Sequence, residues 1–163
     1  MNLDDEGSVP ISYFGACVDL TCDVRLDNYA GVINRTHTGS DWGSTNYAAA
    51  IAAAVAEHDA SGATDPGLVI FQTDGEPDDP PAAEHALRHA STRPLFFAFV
   101  GFGPERNMLF LKTLDTLPGR TVDNASFFHA ANPGTVTDGE LYDGITREFA
   151  TWLSAARTAG IVQ

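Results

Sequence analysis

The sequence predicts an α/β fold: a three-layer sandwich with a largely parallel, doubly wound, Rossmann-like sheet. Two observations carry this. Two uninterrupted apolar runs, Leu68–Phe71 and Pro94–Val100, have the length and purity of strands buried on both faces. Between and around them lie amphipathic stretches with helix caps, so strand and helix alternate along the chain.

Taken in order, residues 1–8 form a polar entry. Val9–Phe14 (VPISYF) alternates apolar and polar and reads as a strand, with Pro10 tolerated near its start. Ala16–Val24 is a second short strand with edge character, followed by a short helix or turn over Leu26–Ile33. Arg35–Ser44 is a loop by its Ser, Thr, Gly and Asp content. Thr45–His58 is a helix that Ser44 or Thr45 would cap, with Tyr47, Ile51 and Val55 on its buried stripe. Leu68–Thr73 is the next strand. Pro80 and Pro81 suit the first turn of the helix after it, and Asp78 and Asp79 favour its N-terminus through the dipole. Pro94–Val100 is a strand, Glu105–Leu114 a short helix and Ala125–His129 a last strand. Thr137 and Glu140 form a capping box for a long C-terminal helix that buries Phe149 and Trp152. The 163 residues make one domain, 1–163, with no repeat and no linker.

The formal net charge is −13, and Lys112 is the only lysine. That balance excludes a sequence-independent nucleic-acid binder and a partner of anionic membranes. The polar, acidic start is no signal peptide and no run has transmembrane length, which predicts a cytoplasmic protein. Cys17 and Cys22 are then reduced thiols.

Asp74 follows a buried strand and Thr45 opens a helix, the two places where open α/β sheets gather ligands. A carboxylate and a hydroxyl are hard oxygen donors of the kind Mg²⁺ takes, with Mn²⁺ or Ca²⁺ as alternatives. Gly43, Ser44, Gly75 and Glu76 would rim the site, with His37, Asp41 and Trp42 in the preceding loop. His85 and His89 share a helix face opposite the apolar one and point to solvent.

The stretches GSTNYAAAI (Gly43–Ile51) and FQTDGEPDD (Phe71–Asp79) resemble those of a von Willebrand factor A (vWA) domain. LDDEGSVPISYFG, FFAFVGFG, FLKTLDTLPGRTVDNASFF and ELYDGITREFATWLSAAR are similar to vWA proteins of the bacterial tellurium-resistance type. The resemblance implies that Thr45 and Asp74 are the second and third elements of a metal-ion-dependent adhesion site (MIDAS). It implies a metal-dependent protein-binding module in toxic-ion resistance or a stress response, with a partner that offers an acidic side chain, and no catalysis.

The family's first element, Asp-x-Ser-x-Ser, is absent from the sequence. The resemblance implies that the chain is N-terminally incomplete relative to the family and lacks the middle strand of the sheet. Metal binding is therefore expected to be weak or absent. The strands Val9–Phe14 and Leu68–Thr73 are expected either to pair directly or to accept a strand from another chain, by strand exchange or in an oligomer. The alternative function is a Mg²⁺-dependent phosphohydrolase using Asp74, Glu76, Asp78 and Asp79.

Overall fold

The first two strands, β1 (Val9–Phe14) and β2 (Val18–Val24), form an antiparallel pair with a register shift between Ile11 and Ser12. They belong to a computed structural model that describes residues 7–37 and 43–163, the side chains of Leu20 and Thr21 excepted. The short helix α1 (Val32–Thr36) follows β2, so the short helix or turn expected over 26–33 is a helix that starts a few residues later.

The second sheet is parallel, in the order β3–β4–β5, with β3 at Gly67–Thr73, β4 at Leu95–Phe102 and β5 at Ala125–Ala130. Leu68 stands opposite Phe96, and Phe99 opposite Phe127. The two apolar strands are therefore adjacent and parallel. They differ from the expectation that both are buried on both faces: β4 is the centre, and β3 is an edge among the described residues. β4 is buried along nearly its whole length, whereas Ile70 of β3 is 47% exposed. An apolar run alone cannot distinguish a central strand from an edge strand, because the difference lies in the neighbours.

Alternation along β4 feeds two cores. Phe97 and Phe99 face Tyr47, Ile51 and Val55 of α2 (Tyr47–Ser61), Leu87 of α3 (Pro80–Ala90), and Leu111 and Leu114 of α4 (Leu109–Asp115). Phe96, Ala98 and Val100 face Ile145 of α5 (Asp138–Thr146) and Phe149 and Trp152 of α6 (Phe149–Thr158). Helices on both sides of a parallel sheet give the predicted three layers. The Trp152 ring lies tilted against Phe96 at 5.5 Å, which docks the C-terminal helix as expected.

The caps show where local reasoning was right and where it slipped. Thr137 and Glu140 make the reciprocal capping box. Asp79 caps α3 by accepting from the Ala82 amide at 3.0 Å, and Pro80 and Pro81 fill its first turn. The cap of α2 is Asn46, accepting from the Ala49 amide at 3.0 Å, not Ser44 or Thr45. The long C-terminal helix is interrupted at Arg147 and Glu148, both of which keep right-handed helical dihedrals. Its halves have different neighbours. A Cβ on Gly144 would lie 2.4 Å from the Phe128 ring of β5, so α5 approaches the sheet closely there, while α6 packs on β4.

β1 and β3 do not pair directly among the described residues, contrary to one expectation. Side chains link their carboxyl ends instead. Phe14 at the end of β1 lies 4.8 Å from Phe71 near the end of β3, and Tyr47 of α2 touches both rings. The amide of Asn46 donates to Gly15 O at 3.0 Å. The two strands therefore end at the same edge of the molecule, beside the start of α2. Cys17 and Cys22 are both free thiols. Among the described residues no helix is long and apolar enough to cross a membrane.

Candidate functional site

The carboxyl end of β3 and the segment leading into α2 meet at that edge. The residue that ties them together is Asp78. Its carboxylate accepts from the Ser44 hydroxyl and from the Thr45 amide, the latter at 2.8 Å, and its own amide donates to Thr45 O at 3.1 Å. These hydrogen bonds hold the Asp78 carboxyl below its ordinary pKa, the Ser44 bond contributing most. Asp78 thus fixes the 44–45 segment against the loop after Asp74.

Tyr47 fixes the other side of that loop. Its ring is buried between Phe14 and Phe71, and its hydroxyl donates to Gly75 O and lies 3.3 Å from Thr73 Oγ1. Burial pushes the phenol up to about 12, with smaller contributions from the charges of Glu76 and Asp74. The hydroxyl therefore stays protonated and holds the Gly75 carbonyl at neutral pH. Glu76 reaches across to α4, where it accepts from the Phe110 amide at 3.3 Å.

The remaining donors are Asp74 and Thr45. Among the described residues neither the Asp74 carboxylate nor the Thr45 hydroxyl is engaged in a hydrogen bond. The acidic loop as a whole does not converge. Asp78 is turned to Ser44 and Thr45, Asp79 to the α3 amides, and Glu76 to α4. Among the described residues no group of three or more His, Cys, Asp or Glu side chains is placed to hold a metal ion. Gly43 adjoins Ser44 and is solvent-exposed, and Asp41 and Trp42 lie outside the described residues. His37 packs edge-on against Tyr13 at 4.9 Å. His85 and His89 are exposed on α3, as expected. His129 Nε2 donates to Gly103 O at 2.7 Å, a structural role.

Sequence reasoning singled out Asp74 and Thr45 but missed how Asp78 and Tyr47 organise the segments that carry them. Asp78 reads locally as a helix-dipole residue, because its partners are more than thirty positions away. Tyr47 reads as one more core position, since periodicity reports the buried ring and not what the hydroxyl meets.

A three-stranded parallel sheet with helices on both faces, an Asp after one strand and a Thr before a helix fit a vWA-type domain. The chain belongs to the vWA-TerF-like family, the vWA domain found in the TerF C terminus, whose model matches residues 1–162. The family associates the chain with tellurium-resistance vWA modules. An uncharacterized protein, YcbR of Bacillus subtilis (strain 168), is 38% identical over 98 residues, covering 60% of this chain and 39% of that protein. The match therefore spans well under half of the relative's length.

Proposed function

We propose that the chain is a binding module, not an enzyme, that holds a hydrated Mg²⁺ on Asp74 and Thr45 and through it an acidic side chain of a partner protein. Its setting would be a cytoplasmic tellurium-resistance or related stress-response assembly. The observation that carries this reading is the pair of uncommitted oxygens. Asp78 and Tyr47 pin the two segments that bear them, while the Asp74 carboxylate and the Thr45 hydroxyl themselves remain unspent. One carboxylate, one hydroxyl and several waters suit Mg²⁺, with Mn²⁺ or Ca²⁺ as alternatives. When bound, the ion supplies the positive charge on which a partner carboxylate closes the coordination shell. Two protein oxygens make a weak site. The scattering of Glu76, Asp78 and Asp79 favours binding over the phosphohydrolase alternative, which needs carboxylates gathered around its ions.

Calorimetry with Mg²⁺ tests the reading. The intact chain is expected to bind, Asp74→Ala to lose binding, and His85→Ala to keep it. Equal binding by the intact chain and Asp74→Ala would remove the site. Hydrolysis of a generic phosphate ester that disappears in Asp74→Ala would replace the binding reading with the enzymatic one.

A further inference from the structure

We propose that Asp115 and Glu148 form a proton-operated latch between the end of α4 and the junction of α5 and α6. The junction is a ready hinge. Arg147 and Glu148 interrupt the helix yet keep right-handed helical dihedrals, and on either side of them α5 packs on β5 and α6 on β4. Glu148 stands at the N-cap position of α6, but its side chain caps no amide there.

The buried guanidinium beside this junction is already committed. Arg120, whose side chain is 5% exposed, donates from Nε to Leu117 O and from Nη2 to Asp115 O, both at 2.8 Å, and its Nη1 pairs with Asp123 Oδ1 at 2.7 Å. It closes the turn after α4 through backbone carbonyls and gives its ion pair to Asp123. The Asp115 carboxylate is left over, with Oδ1 buried and without a hydrogen-bond partner. A buried acceptor without a donor is destabilising, and a proton shared with a second carboxyl supplies the donor. Glu148 is that second carboxyl.

The charges around the pair agree. Burial raises the Asp115 carboxyl and Asp123 raises it further, while Arg120 and a hydrogen bond from the Phe127 amide lower it. Burial likewise raises Glu148, as do Asp115 and Asp123, while Arg147 and Arg120 oppose the rise. Both carboxyls therefore keep a proton to higher pH in the folded chain than in the unfolded chain. The latch closes as pH falls from neutral into the mildly acidic range, and it opens as pH rises. Closed, the neutral Glu148 carboxyl donates to Asp115 Oδ1 and ties the start of α6 to the turn after α4. Open, two like charges push the junction away from that turn, and Phe149 and Trp152 hold α6 through Phe96. None of these groups belongs to the Asp74–Thr45 site, so the latch is independent of the metal reading.

The test uses the full chain. Hydrogen exchange at the amides of residues 149–152, corrected for intrinsic rates, is followed between about pH 8 and about pH 5. Protection is expected to rise by about tenfold on acidification, the weight of one pKa unit. Glu148→Gln, whose side-chain amide donates to Asp115 at any pH, should show the acid-state protection throughout. Asp115→Asn should also lose the pH dependence, and Glu57→Gln, at an exposed position of α2, should keep it. Carbon-13 titration of the side-chain carboxyls gives a second readout, in which Glu148→Gln should bring down the Asp115 midpoint. Protection that is flat with pH, that falls on acidification, or that keeps its pH dependence in Glu148→Gln would each overturn the latch. So would an Asp115 midpoint that Glu148→Gln leaves unchanged.

Discussion

Tyr47→Phe separates the two roles of the side chain that spans β1, β3 and the site loop. The ring stays between Phe14 and Phe71, so no cavity forms. What is lost is the hydroxyl that donates to Gly75 O and contacts Thr73 Oγ1. A net hydrogen bond is worth about 1 kcal/mol, and leaving a buried acceptor unmet raises the cost to about 1–3 kcal/mol. Thr73 is buried and Gly75 half-buried, and Thr73 Oγ1 can still reach the Gly75 carbonyl at 3.4 Å. The expected loss is therefore toward the lower end, about 1–1.5 kcal/mol. For a chain of this size that is a fall in Tm of about 2–6 °C. Tyr47→Ala removes the ring too and should cost about 3–5 kcal/mol. Urea unfolding of the three proteins measures both steps. Because the hydroxyl positions the residue after Asp74, Tyr47→Phe should also weaken Mg²⁺ binding while the core stays intact. A Tyr47→Phe protein as stable as the parent, with unchanged Mg²⁺ binding, would refute the anchoring role.

Asp78→Ala releases Ser44 and the Thr45 amide, so Mg²⁺ affinity should fall with little change in the urea midpoint; a large stability loss would mean that the link is structural. Burial raises the carboxyls of Asp115 and Glu148, with further repulsion from Asp123 on Asp115 and from Asp115 and Asp123 on Glu148. Their folded pKa values exceed the unfolded ones, so ionisation disfavours the fold and stability should rise as pH falls from neutral through those folded values. The exposed Asp78, Glu105 and Glu140 are shifted the other way, so the stability they add is present above the ordinary carboxylate range and is lost below it. Urea midpoints against pH should therefore pass through a maximum on the acid side of neutral, and Asp115→Asn should flatten the rise. Gly144→Ala drives a Cβ to 2.4 Å from Phe128 and should cost about 1–3 kcal/mol. Gly139→Ala in the same helix meets nothing within 4 Å and should be neutral or gain up to about 1 kcal/mol; thermal melts of the pair decide whether close approach or helix propensity dominates.

The sequence by itself determined what depends on local chemistry and on periods of two and 3.6 residues. The apolar runs became β3 and β4 in parallel, the Thr137–Glu140 box capped α5, and the Tyr47, Ile51, Val55 stripe faced the sheet. Asp74 at a strand end was legible because a strand followed by Asp-Gly is a local pattern. Only the tertiary structure decided which apolar strand is central. Ile70 and Ala98 occupy equivalent places in their runs, but among the described residues Ala98 has a paired strand on both sides and Ile70 on one. The same holds at the site. Asp78 and Ser44 are 34 residues apart, and Tyr47 and Gly75 are 28 apart. The hydrogen bonds that assemble the loop form only after α2 has packed on the sheet, because no local propensity encodes a partner brought in by the fold.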